Sequence, residues 1–470
     1  MSIVGISIKE YKQEFEASKN KEKYGEINTD FQLIIDMLKI IPKDIFKNSK
    51  LKWLDPCCGR GYFMIVLFHR LYKSLKEKIP DDIQRKKHII EKMLYMVEIN
   101  NKHISKLKEI FGENANIFNI DFLSFDSPQY DIIIGNPPYN INGLKKVPTN
   151  NKLNKLKDGD TIWPDFVKKG VSLLKKNGNM VMIIPSIWMR PDRAKMYNFL
   201  LQYKLSKIHC FTNTETNKFF HGKAQTPTCY FLLKKIPAEK FVTLYDSQVK
   251  IYTPWFLTYD TIPLPVFGSS ILYKLQKFVR MYGSINVIKT NMPKKGTHFS
   301  TKFSFITPHS NIKTCLLDKN QPYLNINYSN KLLRFAGIPK LVLAHKMYGF
   351  PFLDTKGKYG ISNRDNYIIL DKHIENLHLL RDFLSTKFAR YLFEGTRYRM
   401  KYLEKHIFEL IPDIRNFYTL NQKITDDIIA KLFGLEPMEI RIINEFHKKE
   451  YLLCIEKSTK KKAPLIKKSQ

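Results

Sequence analysis

Four consecutive residues, Asn136-Pro137-Pro138-Tyr139, carry the most specific chemistry in this sequence. They follow the run Ile132-Ile133-Ile134-Gly135, which predicts a buried strand with the tetrapeptide at its carboxyl end. The two prolines remove two backbone donors and fix the local shape. The Asn136 side-chain oxygen and the Pro137 carbonyl are then two outward acceptors. Convergent acceptors of this kind suit an NH2 group, which has two hydrogens to donate. Holding both hydrogens favours a tetrahedral nitrogen and frees its lone pair for attack, so no strong base is required. Tyr139 offers a face on which a planar heterocycle can stack. The chemistry implied is positioning and electrostatic stabilisation around an amino nitrogen, without a covalent intermediate.

A second constellation lies upstream. Asp55-Pro56-Cys57-Cys58-Gly59-Arg60-Gly61-Tyr62-Phe63 joins a predicted strand at 52–54 to a predicted helix at 62–75. In open α/β sheets a ligand sits beyond the carboxyl ends of the strands, and glycines let the backbone approach it closely. Two further predicted strands, 93–97 and 116–120, end in Glu98 and Asp121. Glu98 can accept hydrogen bonds from two ribose hydroxyls. Asp121 can accept one from an adenine amino group, with Phe122 packed on the ring. The set suits an adenosyl cofactor that has no pyrophosphate.

The elements that must position these residues follow from periodicity. Apolar residues at helical spacing predict an amphipathic helix over 30–42, and a charged helical stretch of about twenty residues follows residue 75. Helices are expected at 101–111 and 163–176, and strands at 130–134, 179–184, 207–211 and 228–234. Residues 140–160 are rich in Asn, Lys and Gly and read as a loop. Strands alternating with helices through residue 235 predict a parallel α/β sheet. After about residue 240 short strand-like pieces and aromatics take over to about 370, and 373–395 reads as helical again. The expected organisation is a first domain over 1–240, a second over 241–456 and a basic tail over 457–470.

Charge narrows the class of partner. The 470 residues include 78 Lys and Arg against 44 Asp and Glu, a net charge of +34. Such a surplus suits a polyanion, with nucleic acid first and an anionic membrane surface second; a bias toward Lys, Asn and Ile in coding would also contribute. Six cysteines form no C-x-x-C pair and no zinc spacing, so no metal is expected. No apolar signal core opens the chain and no run of 18 apolar residues occurs, so a cytoplasmic protein without membrane association is expected.

On these residues the chain resembles the gamma-class adenine-specific (N6) DNA methyltransferases, such as the methylases of type II restriction-modification systems. Gly25-Glu26-Ile27-Asn28-Thr29 is similar to that family's first motif, G-E-x-x-T-P, with Asp30 in place of the proline. Asp55, Pro56, Gly59, Gly61 and Phe63 match D-P-x-x-G-x-G-x-F. Glu98 and Asp121 match the acidic positions that hold ribose and adenine. N-P-P-Y stands intact, and Asn136 in place of serine points to adenine rather than cytosine. Trp163–Pro185 and Thr226–Lys235 resemble later segments more weakly, and the interval from Asp55 to Glu98 is longer than in compact members. Motif-level similarity covers residues 23–235.

The resemblance implies a Rossmann-like S-adenosylmethionine-dependent methyltransferase fold with a mostly parallel seven-stranded sheet. A mixed α+β target-recognition domain is expected to follow it. S-adenosyl-L-methionine would be held by Thr29, Asp55, Pro56, Gly59, Gly61, Phe63, Glu98, Asp121 and Phe122. Asn136, Pro137, Pro138 and Tyr139 would be catalytic. The target adenine would be flipped out of double-stranded DNA, at an unstacking cost of roughly a few kcal/mol. Lys145, Lys146, Lys152, Lys155 and Lys157 would close on the backbone beside it. Lys340, His345, Lys346, Tyr348, Arg364, Tyr367, Arg397, Tyr398, Arg399 and Lys401 form the pool from which base readers would come. The family leaves room for a separate restriction endonuclease partner. Alternatives are methylation of adenine in RNA, methylation of glutamine in protein, and a non-catalytic DNA-binding subunit. The long basic C-terminal half favours DNA.

Overall fold

The computed structural model of the chain describes residues 29–141, 160–192, 194–221, 224, 226–257, 262–318, 321–345, 351–398, 403–418 and 423–446. Residues 23–28 of the first motif, the lysines of 145–157, Lys346, Tyr348, Arg399, Lys401 and the tail at 457–470 lie outside them. The chain divides into two compact units, Met1–Thr261 and Ile262–Gln470. The boundary expected at residue 240 therefore lies later, because two strands after it join the first unit's sheet. Among the described residues no helix is long and apolar enough to cross a membrane.

The first unit opens with α1 (Phe31–Lys39). Asp30 starts it: its carboxylate accepts from Gln32 N at 2.7 Å and Leu33 N at 3.4 Å, satisfying two of the donors a helix start leaves unpaired. That is the role of the residue that departs from the family's proline. There follow β1 (Trp53–Asp55), α2 (Tyr62–Ser74), α3 (Asp82–His88), β2 (Leu94–Glu98), α4 (Asn101–Phe111), β3 (Asn116–Asn119) and β4 (Tyr130–Gly135). Then come α5 (Trp163–Leu173), β5 (Leu174–Pro185), α6 (Met196–Leu200), β6 (Tyr203–Phe211), α7 (Asn213–Phe219), β7 (Thr228–Pro237), β8 (Phe241–Asp246) and β9 (Ile251–Phe256).

The nine strands form one sheet in the order β3-β2-β1-β4-β5-β7-β6-β8-β9. Strands β1 to β5 pair in parallel; β7 runs antiparallel to both β5 and β6. The expected α/β fold is thus present, with the seven-stranded sheet extended by the β8–β9 hairpin on β6. The central strands are covered on both faces, as parallel strands require: all three residues of β1 are buried, as are Ile132, Ile133 and Ile134. One face packs on α1, α2 and α4 through Phe31, Ile34, Met64, Leu67, Leu107 and Phe111.

Two element boundaries differ from the periodicity. The helix expected over 163–176 stops at Leu173, because Leu174 already pairs with Tyr130 of β4. Asn177 at φ 65° and Gly178 then shift the register before Asn179 pairs with Ile132. The charged stretch after residue 75 folds as α3 and a π turn, Ile89–Met93, which ends where β2 begins. Burial of Ile89, Ile90 and Met93 explains the turn, since it keeps three apolar side chains on the core as the chain enters the sheet.

Gly61 starts α2 with φ +82°, a conformation that favours glycine. A Cβ there would stand 2.7 Å from Leu107 Cδ2 and 3.1 Å from Phe111 Cε2. Leu107 can shift; the backbone angle cannot. Gly61→Ala is expected to cost about 2 kcal/mol or more. It should lower the midpoint of thermal unfolding by several degrees, read by calorimetry; an unchanged midpoint would show that the turn relaxes freely.

The second unit carries α8 (Ser269–Tyr282), β10 (Ile288–Lys289), β11 (Phe299–Ser300), β12 (His309–Asp318), β13 (Gln321–Ser329), β14 (Lys340–Ala344), β15 (Phe352–Asp354), β16 (Gly360–Ile361) and β17 (Asn366–Ile369). Helices α9 (Ile374–Leu384), α10 (Lys387–Gly395), α11 (Asp426–Leu432) and α12 (Pro437–Phe446) complete it. The strands form two four-stranded sheets, β10-β17-β14-β15 and β11-β13-β12-β16. They share a core of Ile312, Cys315, Val342, Phe352, Tyr359 and Ile368. The helical stretch read at 373–395 is two helices: Thr386 interrupts it and caps the second, accepting from Ala389 N at 3.2 Å.

Candidate active site

The carboxyl ends of β1, β2 and β4, with the turn after β3, meet at one cavity of about 350 Å³. Its walls include Thr29, Pro56, Gly59, Phe63, Glu98, Asp121 and Phe122, together with Asn136, Pro137, Pro138 and Tyr139. Residues singled out for two separate chemistries therefore face one space. Asp55 and Gly61 are the members of the set that do not line it; they build the turn behind the wall. The mouth also includes Ile162 and Phe166 of the α5 region and Phe220 after α7. None of these three has a local motif by which sequence reading finds it.

The turn is held by Glu98. Its Oε2 accepts from Gly59 N at 2.7 Å and its Oε1 from Asn100 N at 2.7 Å. Cys58 N donates to Val97 O at 3.0 Å, and Gly61 N to Cys58 O at 2.8 Å. Strand β2 thus braces the loop between β1 and α2 at two levels, and Glu98, only 8% exposed, keeps one edge toward the cavity. His103, one turn into α4, places Nδ1 3.7 Å from Glu98 Oε1. Asp121 is exposed and accepts from Leu123 N at 3.0 Å. Phe122 behind it is buried, its ring 5.4 Å from that of Phe166.

Asp55 is fully buried, with Oδ1 accepting from Cys57 N at 3.1 Å and Oδ2 without a partner. Burial pushes its carboxyl up to about 8 against the lowering effect of the Cys57 N–H, and the charge of Glu98 adds to the rise. Because the folded value lies above the ordinary 3.8, folding favours the protonated acid. The stability this group contributes is full below about pH 4, declines as pH rises and is lost by about pH 8. Asp55→Asn keeps an acceptor for Cys57 N and cannot ionise. Its thermal midpoint should fall less than that of the parent between pH 5 and 8, and should be the higher of the two at pH 8; parallel curves would show that Asp55 is already charged.

The tetrapeptide is tied from two sides. Asn136 Nδ2 donates to Thr29 Oγ1 at 3.0 Å, and Cys57 Sγ lies 3.3 Å from Asn136 O. With its amide nitrogen engaged, Asn136 presents Oδ1 as an acceptor, buried and without a partner. The hydroxyl of Tyr139 is likewise buried and unpartnered. Burial holds that phenol well above its ordinary range, with Cys229 and Cys57 adding to the effect, so it is neutral. Beyond Tyr139 the chain is closed back on α5: Ile162 N donates to Tyr139 O at 3.1 Å and Ile141 N to Asp160 O at 2.9 Å. Residues 141 and 160 are thereby tied to each other beside the cavity, which Ile141 and Ile162 line.

In the second unit, three residues offered as base readers prove to be structural. Lys340 is buried with its ammonium 2.5 Å from Asp354. Tyr367 and Tyr398 are buried, donating their hydroxyls to Leu403 O at 2.9 Å and Leu264 O at 2.6 Å. Arg397 pairs with Glu394 at 2.9 Å. Arg364 remains 67% exposed.

Residues 8–220 match the family model described as the Eco57I restriction-modification methylase. The chain is 26% identical over 296 residues to an uncharacterized adenine-specific methylase of Mycoplasma pneumoniae, covering 45% of this chain and 67% of that one. It is 28% identical over 213 residues to the type II methyltransferase M.AccI of Acinetobacter calcoaceticus, covering 43% and 35%. It is 35% identical over 145 residues to the type II methyltransferase M.VspI of Vibrio sp. (strain 343), covering 29% of each. The chain thus spans about a third of the length of the two type II enzymes. Over segment 8–220 this chain is similar to the restriction-modification methylases that the Eco57I family model describes.

Proposed function

We propose that the protein is a site-specific DNA methyltransferase that moves a methyl group from S-adenosylmethionine to the N6 amino group of adenine in double-stranded DNA. One observation carries the reading: Asn136, whose Oδ1 is buried and has no hydrogen-bond partner among the described residues, lines the cavity that Glu98 and Asp121 also line. The donor set fits the cofactor. Glu98 would hold the ribose hydroxyls, Asp121 the adenine amino group and Phe122 the ring, while Pro56, Gly59 and Phe63 bring backbone and an aromatic face against its methionine end. Asp55 and Gly61 give the turn its shape, and Thr29 aligns Asn136. When bound, the cofactor supplies an electrophilic methyl on a sulfonium.

The rest is done by the chain. Asn136 Oδ1 and Pro137 O would accept the two hydrogens of the target NH2 and leave its lone pair free. Pro138 fixes the turn that makes them converge, and Tyr139 stacks on the extruded base. Burial of Asn136 Oδ1 strengthens its contact, since an acceptor out of water acts in a low dielectric. The second unit would carry target recognition, and relatives that combine restriction and methylation leave a separate nuclease partner open.

The test is methyl transfer from radiolabelled S-adenosylmethionine to unmethylated duplex DNA, RNA and protein, followed by nucleoside analysis. The expected product is N6-methyladenine in DNA. Label in RNA or in protein glutamine would keep the chemistry of the amino group and overturn the substrate. Cofactor binding with no label in any acceptor would overturn the enzymatic reading.

A further inference from the structure

The two most exposed large apolar side chains among the described residues are neighbours. Phe305 is 96% exposed and Ile306 81%. They occupy the two corners of a tight turn, Ser304–Thr307, where corner positions usually hold Gly, Pro, Asn, Asp or Ser. The turn is tied across its base three ways. Thr307 N donates to Ser304 O at 3.0 Å and to Ser304 Oγ at 3.1 Å, and the two hydroxyls lie 2.8 Å apart. Behind the tip, the ring of Phe303 stands 6.1 Å from that of Phe305 and meets Tyr328 of β13 edge-on at 5.9 Å. An apolar pair is therefore held out in water on a stiff base, with no conformational reason for either residue type.

The charge around it is one-sided. From Ile288 to Leu353 the sequence has ten Lys and Arg residues and a single acid, Asp318. Lys294, Lys295, Lys302, Lys313, Lys331 and Arg334 are all exposed. Lys302 precedes the aromatic tip directly, in the run Lys302-Phe303-Ser304-Phe305-Ile306. Basic side chains around a projecting aromatic complement a partner with anionic edges and flat apolar faces inside, which is the chemistry of a nucleic acid.

We propose that this turn is a wedge for duplex DNA: Phe305, backed by Ile306, enters the base stack while the lysines around it take the phosphates. The proposal rests on the reading of the protein as a DNA methyltransferase and names a contact that reading does not contain. Insertion of an apolar side chain at a base step partly unstacks it and bends the duplex, and the rigid base of this turn means that little order is lost when it inserts.

Phe305→Ala in the full chain tests it, with unmethylated genomic DNA as probe. The DNA KM for methyl transfer is expected to rise about tenfold, the magnitude of a lost base–aromatic stack, with the KM for S-adenosylmethionine unchanged. Thermal unfolding should also be unchanged, because the side chain packs on almost nothing. The salt dependence of DNA binding should keep its slope, since no phosphate contact is removed, whereas Lys302→Ala should reduce the slope by about one. Phe305→Trp should restore the parent DNA KM. Parent-like DNA KM and affinity in Phe305→Ala would overturn the wedge and leave the DNA reading standing. Failure of the parent protein to bind or methylate DNA would overturn both. Phe305-dependent binding to phosphatidylserine vesicles, with DNA binding unaffected, would overturn the wedge in favour of a membrane contact.

Discussion

Asn136→Ala is expected to lower the single-turnover rate of methyl transfer by about a hundred- to a thousand-fold, the effect typical of removing one preorganised polar group at a reacting centre. Cofactor affinity, read by calorimetric titration, should stay within a few-fold. The split follows from the geometry. Asn136 Oδ1 is buried and has no hydrogen-bond partner among the described residues, so its loss breaks no hydrogen bond there. Its nitrogen is already used, donating to Thr29 Oγ1 at 3.0 Å. An acceptor kept dry and aimed is worth most when the group it receives is changing its charge. Alanine removes that acceptor and leaves the turn, because Pro137, Pro138 and the Cys57 contact to the Asn136 carbonyl remain. Thr29→Val should produce a smaller fall in rate, since it frees the amide to rotate without removing it. Equal loss of rate and of cofactor affinity in Asn136→Ala would show that Asn136 is a binding residue and not a catalytic one.

Glu98→Gln is expected to weaken S-adenosylmethionine by about ten- to a hundred-fold and to destabilise the ligand-free protein. Each carboxylate oxygen of Glu98 accepts a backbone N–H at 2.7 Å, from Gly59 and from Asn100. Glutamine has one oxygen and one NH2, so one of these N–H groups must face another donor. A buried donor left unsatisfied costs about 1–3 kcal/mol, and the group lost here is charged and therefore at the upper end. The damage falls on the turn that carries Gly59, and on the acceptor proposed for the ribose. Isothermal titration reads the affinity and thermal unfolding the stability. If Glu98→Gln lowers stability but binds the cofactor as the parent does, Glu98 braces the turn and holds no ligand.

The local parts of this site were legible because they are local. A buried three-residue strand, a turn with two glycines at positive φ and a helix starting at Tyr62 all follow from a dozen contiguous residues. The same holds for Glu98 at the end of β2, Asp121 in the turn after β3 and the tetrapeptide after β4. In a parallel sheet every such strand end lies on one edge, so motifs far apart in sequence reach one cavity without further information. The alternation of strand and helix also determined the fold class, and its loss after about residue 240 announced a change in architecture that the structure places later, after Thr261.

Periodicity alone does not report which partner an element takes. The hairpin β8–β9 reads like the short strands that follow it, yet it pairs with β6 and belongs to the first sheet. Whether a polar residue faces water or a buried partner is equally invisible: Lys340, Tyr367 and Tyr398 look like surface chemistry and are core, because Asp354, Leu403 and Leu264 satisfy them. The reverse holds for Phe305 and Ile306, which look like core and stand in water. The alignment of Asn136 is the clearest case. Sequence determined that an asparagine follows the strand; only the tertiary structure decided which way its amide points, through a hydrogen bond to Thr29 across 107 residues of chain. Residue types and their spacing set what a segment can do, whereas the direction of a side chain depends on which surfaces fold against it.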